Sequence, residues 1–178
     1  MYFTSDTHFF HSNIIKYCNR PFQDIDCMNE ALIDNWNLAV GPKEEVYHLG
    51  DFSFGNAENT LLLLPRLNGR IHLIRGNHDY DKTLSLCWTK FASVNFYKEL
   101  KYNKQLLVLC HYPIESWNKQ RQGSIHLHGH CHGTLKQSPD LRRLDVGSDC
   151  FNFFPISITE ISERMGKIPI TGEDGRHR

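Results

Sequence analysis

The stretch RIHLIRGNHD, residues 70–79, joins an apolar strand to a polar turn that contains a glycine. The same pattern occurs at residues 45–51, EVYHLGD, and residues 1–6 form a third β-prone segment that ends in an aspartate. Between these strands, helices are predicted over Cys27–Ala39, where apolar residues recur at helical spacing, and over Asn59–Leu67. The resulting β-α-β-α-β order predicts a mainly parallel sheet, in which ligands bind beyond the carboxyl ends of the strands.

The second half of the chain is richer in short strands. Residues 95–102 and 105–110 flank Asn103-Lys104 and predict a β-hairpin. We expect one α/β domain over residues 1–166. Residues 167–178 have no apolar period and are predicted to form a flexible C-terminal tail.

The bulk composition describes an ordinary globular protein. The chain has 178 residues, Lys+Arg and Asp+Glu both total 20, and 40% of the residues are hydrophobic. No apolar run approaches the ~18 residues of a membrane span, and the N-terminus has no basic or apolar region typical of a secretory signal. The six cysteines are scattered without a CxxC pair, which favours reduced thiols over disulfides or a zinc knuckle. We therefore expect a cytoplasmic protein with no membrane partner.

The unusual feature of the composition is its 11 histidines. Histidine is the commonest metal ligand in proteins. Several of these histidines occur with Asp or Asn at the ends of predicted strands, where ligands bind in such sheets. Five such clusters stand out: Asp6-Thr7-His8, Gly50-Asp51, Gly76-Asn77-His78-Asp79, Cys110-His111 and Gly129-His130-Cys131-His132.

These donors are more than one metal ion can use. Two divalent ions about 3.5–4 Å apart, bridged by a carboxylate, can use them and can clamp both oxygens of an in-line displacement. Two such ions outweigh the carboxylates of Asp6 and Asp51 plus a bridging hydroxide, which predicts an anionic substrate such as a phosphate. The glycines beside Asp51, Asn77 and His130 are expected to turn the backbone tightly, so that the side chains aim at one point.

The order Asp-x-His, Gly-Asp, Gly-Asn-His-Asp, a lone His and Gly-His-x-His resembles the calcineurin-like metallophosphoesterase superfamily. All five motifs are present in order between Asp6 and His132. Residues 144–149, LDVGSD, and 154–157, FPIS, also look like the ending of small, single-domain bacterial and phage-type members. The resemblance implies a four-layer α/β/β/α sandwich, with two mixed sheets flanked by helices, and a phosphoric ester hydrolase.

Carried over residue by residue, the resemblance implies two metal sites that share Asp51. One ion would be held by Asp6, His8, Asp51 and His132, and the other by Asp51, Asn77, His111 and His130. Mixed oxygen and imidazole donors suit Mn, Fe, Zn or Ni, of which we expect Mn. A metal-bridging hydroxide would be the nucleophile. His78 would lie over the phosphate, where it stabilises the transition state or protonates the leaving oxygen, and Asp79 would orient it.

The sequence constrains the substrate less closely than the metal ions. Larger phosphatases of the superfamily place an arginine a few residues after the Gly-Asp pair, whereas residues 52–55 contain none. Phosphate would then be bound by the metal ions, His78 and either His11 or Arg121, although His11 is equally well explained as an exposed residue at a helix start. Trp117 either stacks on a base near Arg121 or packs as an indole in a solvated loop.

The missing arginine and the neutral net charge favour a small phosphodiester or a nucleotide-like substrate over long nucleic acid. A nuclease that acts on short ends would be a subclass of the same function. The alternative is a catalytically silent, metal-binding scaffold or interaction protein of the same fold. Degenerate relatives usually lose ligands or the catalytic histidine, whereas every matched ligand and His78 are present. Cys131 falls between two predicted ligands and should point away from them. The sequence does not indicate an oligomeric state.

Overall fold

The computed structural model describes residues 1–79, 85–136 and 138–170. Its first β-sheet contains β1 (Tyr2–Thr4), β2 (Glu45–His48), β3 (Arg70–Ile74), β4 (Ser93–Asn95) and β9 (Ile156–Ser157), in the order β4-β3-β2-β1-β9. Strands β1 to β4 pair in parallel, as predicted, and β9 pairs antiparallel to β1. This sheet is therefore mixed.

The second sheet is also mixed. It contains β5 (Tyr97–Tyr102), β6 (Gln105–Cys110), β7 (Ile125–His128) and β8 (Arg143–Asp145), in chain order. Strands β5 and β6 form the predicted hairpin, with Tyr102 opposite Gln105, whereas β6, β7 and β8 pair in parallel. The parallel strands of both sheets bring several carboxyl ends to the same region of the molecule.

Four α-helices lie in the described residues: α1 (Ser12–Tyr17), α2 (Ile25–Ala39), α3 (Ala57–Leu63) and α4 (Ile158–Gly166). Helix α2 begins two residues earlier than predicted, because the Asp24 side chain accepts a hydrogen bond from the Cys27 N–H and caps the helix. Short 3-10 helices occur at residues 64–66, 88–90, 120–122 and 148–150.

Two hydrophobic cores hold these layers together. The first packs residues such as Trp36 of α2 and Leu63 of α3 against Leu73 of the first sheet. The second lies between the two sheets and also includes one face of α4; its members include Phe3, Leu49, Ile74, Leu107, Leu127 and Ile161. The predicted α/β fold, with two mixed sheets and flanking helices, is thus confirmed.

The C-terminal region is described only to residue 170. Ile168, which belongs to the predicted tail, packs against the core between the sheets. Residues 171–178 lie outside the described residues, so the boundary at residue 166 stays a prediction. No helix in the described part of the chain is long and apolar enough to cross a membrane.

Candidate metal centre

The polar clusters meet at the edge where the two sheets converge. There Ser5, just after β1, pairs with Gly147, just after β8. Backbone hydrogen bonds join the neighbouring loops, from Asp6 N to Gly50 O (2.9 Å), from His8 N to Asp51 O (3.0 Å) and from Gly129 N to His111 O (2.9 Å). All seven predicted metal ligands are brought together by this convergence.

The Asp51 carboxylate lies at the centre of the cluster. Its Oδ2 is 3.7 Å from His8 Nε2 and 3.5 Å from His111 Nε2. On the His8 side, Asp6 Oδ1 lies 4.0 Å from His8 Nε2 and 3.8 Å from His132 Nε2. Tetrahedral ligands at about 2.1 Å from a zinc-sized ion are about 3.4 Å apart, so these separations are close to those of a coordination shell.

The other side of Asp51 carries a second group of donors. Asn77 Oδ1 lies 2.9 Å from His111 Nε2 and 2.9 Å from His130 Nδ1. The grouping therefore follows the two sets expected from the sequence, with Asp51 common to both. The assignment of one ion to each set stays a prediction.

Each carboxylate has one oxygen occupied by protein donors and one directed at the cluster. Asp51 Oδ1 accepts the backbone N–H of His78 at 2.8 Å. Asp6 Oδ2 accepts the Ser5 hydroxyl at 2.6 Å and the His130 N–H at 2.9 Å, and the same N–H lies 3.2 Å from Asp6 Oδ1. This arrangement fixes the two side chains and leaves lone pairs of Asp6 Oδ1 and Asp51 Oδ2 directed at the cluster, where they can bind a cation.

Two of the histidine rings, those of His111 and His132, are oriented by hydrogen bonds at Nδ1, so that Nε2 is directed at the cluster. His111 Nδ1 donates to the Leu49 carbonyl at 2.7 Å, so that in the neutral ring Nε2 carries the lone pair. His132 Nδ1 lies 2.7 Å from Asp149 Oδ2, which places its Nε2 toward Asp6. These contacts select the ring form that binds metals.

His8 tests the fit of a cation most directly. Its ring is buried, and its Nε2, which faces Asp6 and Asp51, has no hydrogen-bond partner among the described residues. Leaving such a buried polar atom unsatisfied costs about 1–3 kcal/mol. A metal ion between these donors would satisfy the nitrogen, so the residues present fit the predicted group.

The backbone of the cluster is strained as well. Non-glycine residues rarely adopt a positive φ, at a cost of about 1 kcal/mol or more each. Five of the seven predicted ligands nevertheless do so, namely Asp6, His8, Asp51, His130 and His132. Strain of this kind concentrates at functional sites, and nothing in the sequence pattern indicated it.

The glycines of the motifs have two different tasks. Gly50 has a φ of +97° and turns the chain, as expected. Gly76 and Gly129 are required instead for close approach, because a Cβ on Gly76 would collide with the Asp51 carboxylate and one on Gly129 with Ser5 and Asp6. The expectation that all three serve tight turns is thus corrected for the last two.

The charges in the cluster are unfavourable without a cation. Burial raises the pKa of Asp6 to about 6, and burial lowers the pKa of both His8 and His130. Burial also acts against protonation of His132, but the hydrogen bond to Asp149 and the charges of Asp6 and Asp149 raise its pKa overall. Asp6 is thus buried beside His8, whose protonation is opposed by burial, and such a pair is a favourable site for a divalent ion.

Sequence reasoning missed Asp149 and Arg20. Arg20 is buried and binds Asp149 through two hydrogen bonds of 2.8 Å, while it also donates to the carbonyls of Asp6 (2.7 Å) and Thr7 (3.0 Å). Asp149 in turn accepts from His132. The Arg20–Asp149 pair therefore links the Asp6-Thr7-His8 segment to the predicted ligand His132. The partners are 129 residues apart, so no local motif could reveal them.

The two predicted catalytic residues lie beside Asp51. The His78 ring centroid is 5.8 Å from that of His8, at the side of the cluster that carries Phe54. The Asp79 carboxylate accepts three backbone N–H groups, those of Asp51, Phe52 and Gly76, at 2.8–2.9 Å. Asp79 therefore fixes the backbone that carries the shared ligand, and its orientation of the His78 ring stays a prediction.

The three predicted substrate residues are dispersed. His11 lies beside the cluster, with its Nδ1 3.3 Å from His8 Nδ1 and its ring stacked on Phe54. Trp117 is buried and donates from Nε1 to Ser124 Oγ at 3.0 Å, which favours the packed indole over base stacking. Arg121 lines a cleft with Glu115, Asp140 and Arg142, none of which is a predicted ligand.

Comparisons with known proteins extend the likeness beyond the motifs. A family model described as calcineurin-like phosphoesterase matches residues 1–161. An uncharacterised protein of Methanocaldococcus jannaschii is 38% identical over 174 residues, covering 94% of this chain and 92% of that protein. The Gene 66 protein of Mycobacterium phage L5 is 26% identical over 206 residues, covering 99% of this chain and 98% of that protein. The crystal structure of an Aquifex aeolicus protein of unknown function matches with a TM-score of 0.71 at 26% identity, covering 92% and 98% of the two chains.

In the metal-free protein, Asp6→Asn is expected to raise the free energy of unfolding at about pH 8 by roughly 1–3 kcal/mol. The reason is that folding raises the pKa of this carboxyl from 3.8 to about 6, so the ionised form opposes folding. This cost is absent below the unfolded pKa and develops as pH rises through about 6. Urea unfolding in chelator at several pH values should show the two proteins converging as pH falls. A difference that does not vary with pH would contradict this origin.

Asp149→Asn is expected to weaken binding of the ion at the His132 side of the cluster by about 10- to 100-fold, because the variant removes the charge behind the ligand ring. The ion at the His111 side should be affected much less. Titration calorimetry with Mn²⁺ measures both sites. Glu45→Gln is the matched control, since Glu45 Oε2 lies 2.6 Å from His72 Nε2, a pair outside the cluster. Equal loss at both sites, or none, would show that Asp149 does not position His132 for a metal.

Proposed function

The chain belongs to the calcineurin-like phosphoesterase family, and on this premise we propose that it hydrolyses phosphate esters with the aid of two divalent metal ions, Mn²⁺ foremost. The observation that carries the proposal is the buried, unsatisfied Nε2 of His8, which faces two carboxylates in a cluster of seven oxygen and nitrogen donors. A bound ion would remove that cost, and strained backbone of the kind found at five predicted ligands concentrates at functional sites. A scaffold that only binds metal would share these features, so His78, which is not a predicted ligand, is the residue that favours a hydrolase.

Seven residues would hold the two ions, with Asp51 shared between them. Asp6, His8, Asp51 and His132 would hold one ion, and Asp51, Asn77, His111 and His130 the other. Two bound ions would supply Lewis acidity and a water of lowered pKa. Hydrogen bonds keep these donors in place before substrate arrives. Asp79 binds the backbone N–H groups of Asp51 and Phe52. The Leu49 carbonyl and the Asp149 carboxylate bind the Nδ1 atoms of His111 and His132.

His78 would act on the substrate and not on the metals. Its half-buried ring lies beside those of His8 and Phe54, with centroids 5.8 and 4.8 Å away, which supports a position at the rim of the cluster. From this position the imidazole can donate a proton to the leaving oxygen or a hydrogen bond to the phosphoryl oxygens. His11, whose Nδ1 touches the Nδ1 of His8, is the second polar group at this rim.

The exposed surface beside the cluster favours a substrate with a planar organic group. The Phe54 ring, 36% exposed, lies against His8, His11 and His78, with centroids 3.8–5.1 Å apart. The Tyr112 ring, 47% exposed, lies 5.1 Å from His111 and 4.9 Å from His130. These rings flank the two different predicted metal sites and can stack on a base, the role first considered for Trp117. We therefore favour a small phosphodiester or nucleotide ester.

The primary test is turnover. Purified protein with Mn²⁺ should hydrolyse bis(p-nitrophenyl) phosphate or p-nitrophenyl phosphate, and chelator should abolish the reaction. His78→Ala should reduce kcat by about 10²- to 10⁴-fold and still bind two ions, because its role is proton transfer and not ligation. Asp51→Asn should lose both activity and metal, since it removes the charge between the two sites. Elemental analysis of each variant measures the metal content.

His72→Gln is the control for this series, because His72 lies on β3 but pairs with Glu45 and Ser93, away from the cluster. It should retain wild-type turnover. If the wild-type protein binds two ions and yet hydrolyses neither ester with Mn²⁺, Fe²⁺, Ni²⁺ or Zn²⁺, the hydrolase proposal fails and the scaffold alternative stands.

Stacking gives a separate prediction. Tyr112→Leu should lower kcat/KM for a nucleoside 5′-p-nitrophenyl phosphate by about 5- to 100-fold, because base–aromatic stacking contributes about 1–3 kcal/mol. It should change kcat/KM for methyl p-nitrophenyl phosphate less than about twofold, and Tyr112→Phe should retain both values. Steady-state kinetics on the two esters makes the comparison. An equal loss on both would mean that Tyr112 supports the neighbouring histidines and does not bind substrate.

A further inference from the structure

A second type of donor cluster includes Cys131, the residue between His130 and His132. A ring nitrogen of His128, Cys131 Sγ and a carboxylate oxygen of Asp145 all lie within 4.8 Å of one another. His128 is buried, whereas the other two are half-buried. None of the three is among the predicted ligands of the binuclear cluster.

A fourth donor lies next to this group. Cys150, an exposed thiol, interacts with the Asp145 carboxylate. Its Sγ would be only 3.3 Å from a Cβ built on Gly133, and the Gly133 N–H donates to Asp145 Oδ2 at 3.1 Å. Cys150 therefore lies at the edge of the group on the side of Asp145.

We propose that His128, Cys131 and Asp145, with Cys150 as fourth ligand, form an additional metal site that takes a thiophilic divalent ion, Zn²⁺ foremost. One nitrogen, one oxygen and two sulfurs make a tetrahedral donor set suited to zinc. The seven donors of the binuclear cluster are all oxygen or nitrogen atoms, so the two sites differ in chemistry as well as in place. This inference does not depend on the proposed hydrolysis.

The hydrogen bonds around the group leave its donor atoms usable. His128 Nδ1 donates to the Gly129 carbonyl at 2.8 Å, which leaves the lone pair of the neutral ring on Nε2. Asp145 Oδ1 accepts the Gly147 N–H at 2.8 Å and Oδ2 accepts that of Gly133. Each carboxylate oxygen has a second lone pair, so these bonds orient the side chain without consuming it.

Distance and charge are compatible with an ion. Donor atoms of His128, Cys131 and Asp145 are no more than 4.8 Å apart, whereas ligands of tetrahedral zinc are about 3.4–3.8 Å apart, so these three need to approach one another by up to about 1 Å. Cys150 Sγ is not within that distance of all three, so it must turn inward from its place beside Asp145 to become the fourth ligand. Two thiolates and one carboxylate exceed the charge of Zn²⁺ by one. Arg143 lies two residues before Asp145 on β8, on the same face of the strand, and its positive charge offsets that excess.

The position of the site gives it a structural task. It would tie residues 128–131, which include the predicted ligand His130 and directly precede His132, to residues 145–150, which include Asp149. A neighbouring group, Cys18, His132 and Asp149, also places three donors together. We do not assign a metal there, because the Arg20 guanidinium already occupies both oxygens of Asp149 with its positive charge.

Cobalt substitution tests the proposal. Co²⁺ bound by a thiolate shows a sulfur-to-cobalt charge-transfer absorption in the near ultraviolet, which oxygen and nitrogen ligands do not give. Under reducing conditions, the protein loaded with Co²⁺ should show this band. Cys131→Ser should abolish it, and Cys150→Ser, at an exposed position, should weaken Co²⁺ binding at this site at least tenfold. Cys18→Ser and Cys110→Ser are matched controls that should leave the band unchanged.

Asp51→Asn separates this inference from the proposed function, because it should remove the binuclear ions and leave the charge-transfer band. The proposal is overturned if the wild-type protein shows no such band at saturating Co²⁺, or if the band survives both Cys131→Ser and Cys150→Ser. Loss of the band in Cys18→Ser, with Cys131→Ser unaffected, would place the thiolate site at Asp149 instead and would equally overturn it.

Discussion

The structure depends on the burial of one carboxylate, that of Asp51, at the junction of two sheets. Its Oδ1 is bound by the backbone of the loop after β3, and its Oδ2 faces histidines from the loops after β1 and β6. Gly76 must lack a side chain for that carboxylate to fit, and Asp79 must bind the Asp51 N–H for its backbone to hold a positive φ. The strands are arranged so that these loops can reach one buried anion.

The centre is costly to the fold when no cation is present. Three features oppose folding: the unsatisfied Nε2 of His8, the Asp6 carboxyl whose pKa is raised by burial to about 6, and the positive φ of five predicted ligands. The two hydrophobic cores on either side of the first sheet must offset these terms. A cation removes the first two and leaves the backbone strain, so metal binding and folding are expected to be coupled through Asp6 and His8.

Much of the fold could be predicted because its signals are local. Strands β1 to β3, the hairpin of β5 and β6, and the polar clusters at the strand ends all follow from short stretches of sequence. The parallel order of the first sheet then places the predicted ligands together. What could not be predicted depends on distant partners: Arg20 and Asp149 act on one another across 129 residues, and Trp117 packs against His126 on the next strand. Helix α2, predicted to begin at Cys27, begins at Ile25 behind its Asp24 cap, so even local signals leave the exact end of a helix undetermined.

The loop Gly129–His132 shows how one short motif can serve two environments. His130 and His132 reach the same cluster, with their nitrogens near Asn77 and Asp6, while both hold left-handed backbone conformations. Cys131, between them, has its Sγ within 4.8 Å of donor atoms of His128 and Asp145. A histidine or carboxylate at this position would add only nitrogen or oxygen to that group, whereas Cys131 adds a sulfur. The residue between the two histidines of the motif therefore affects what this second group can bind. In this chain the group combines sulfur, nitrogen and oxygen donors.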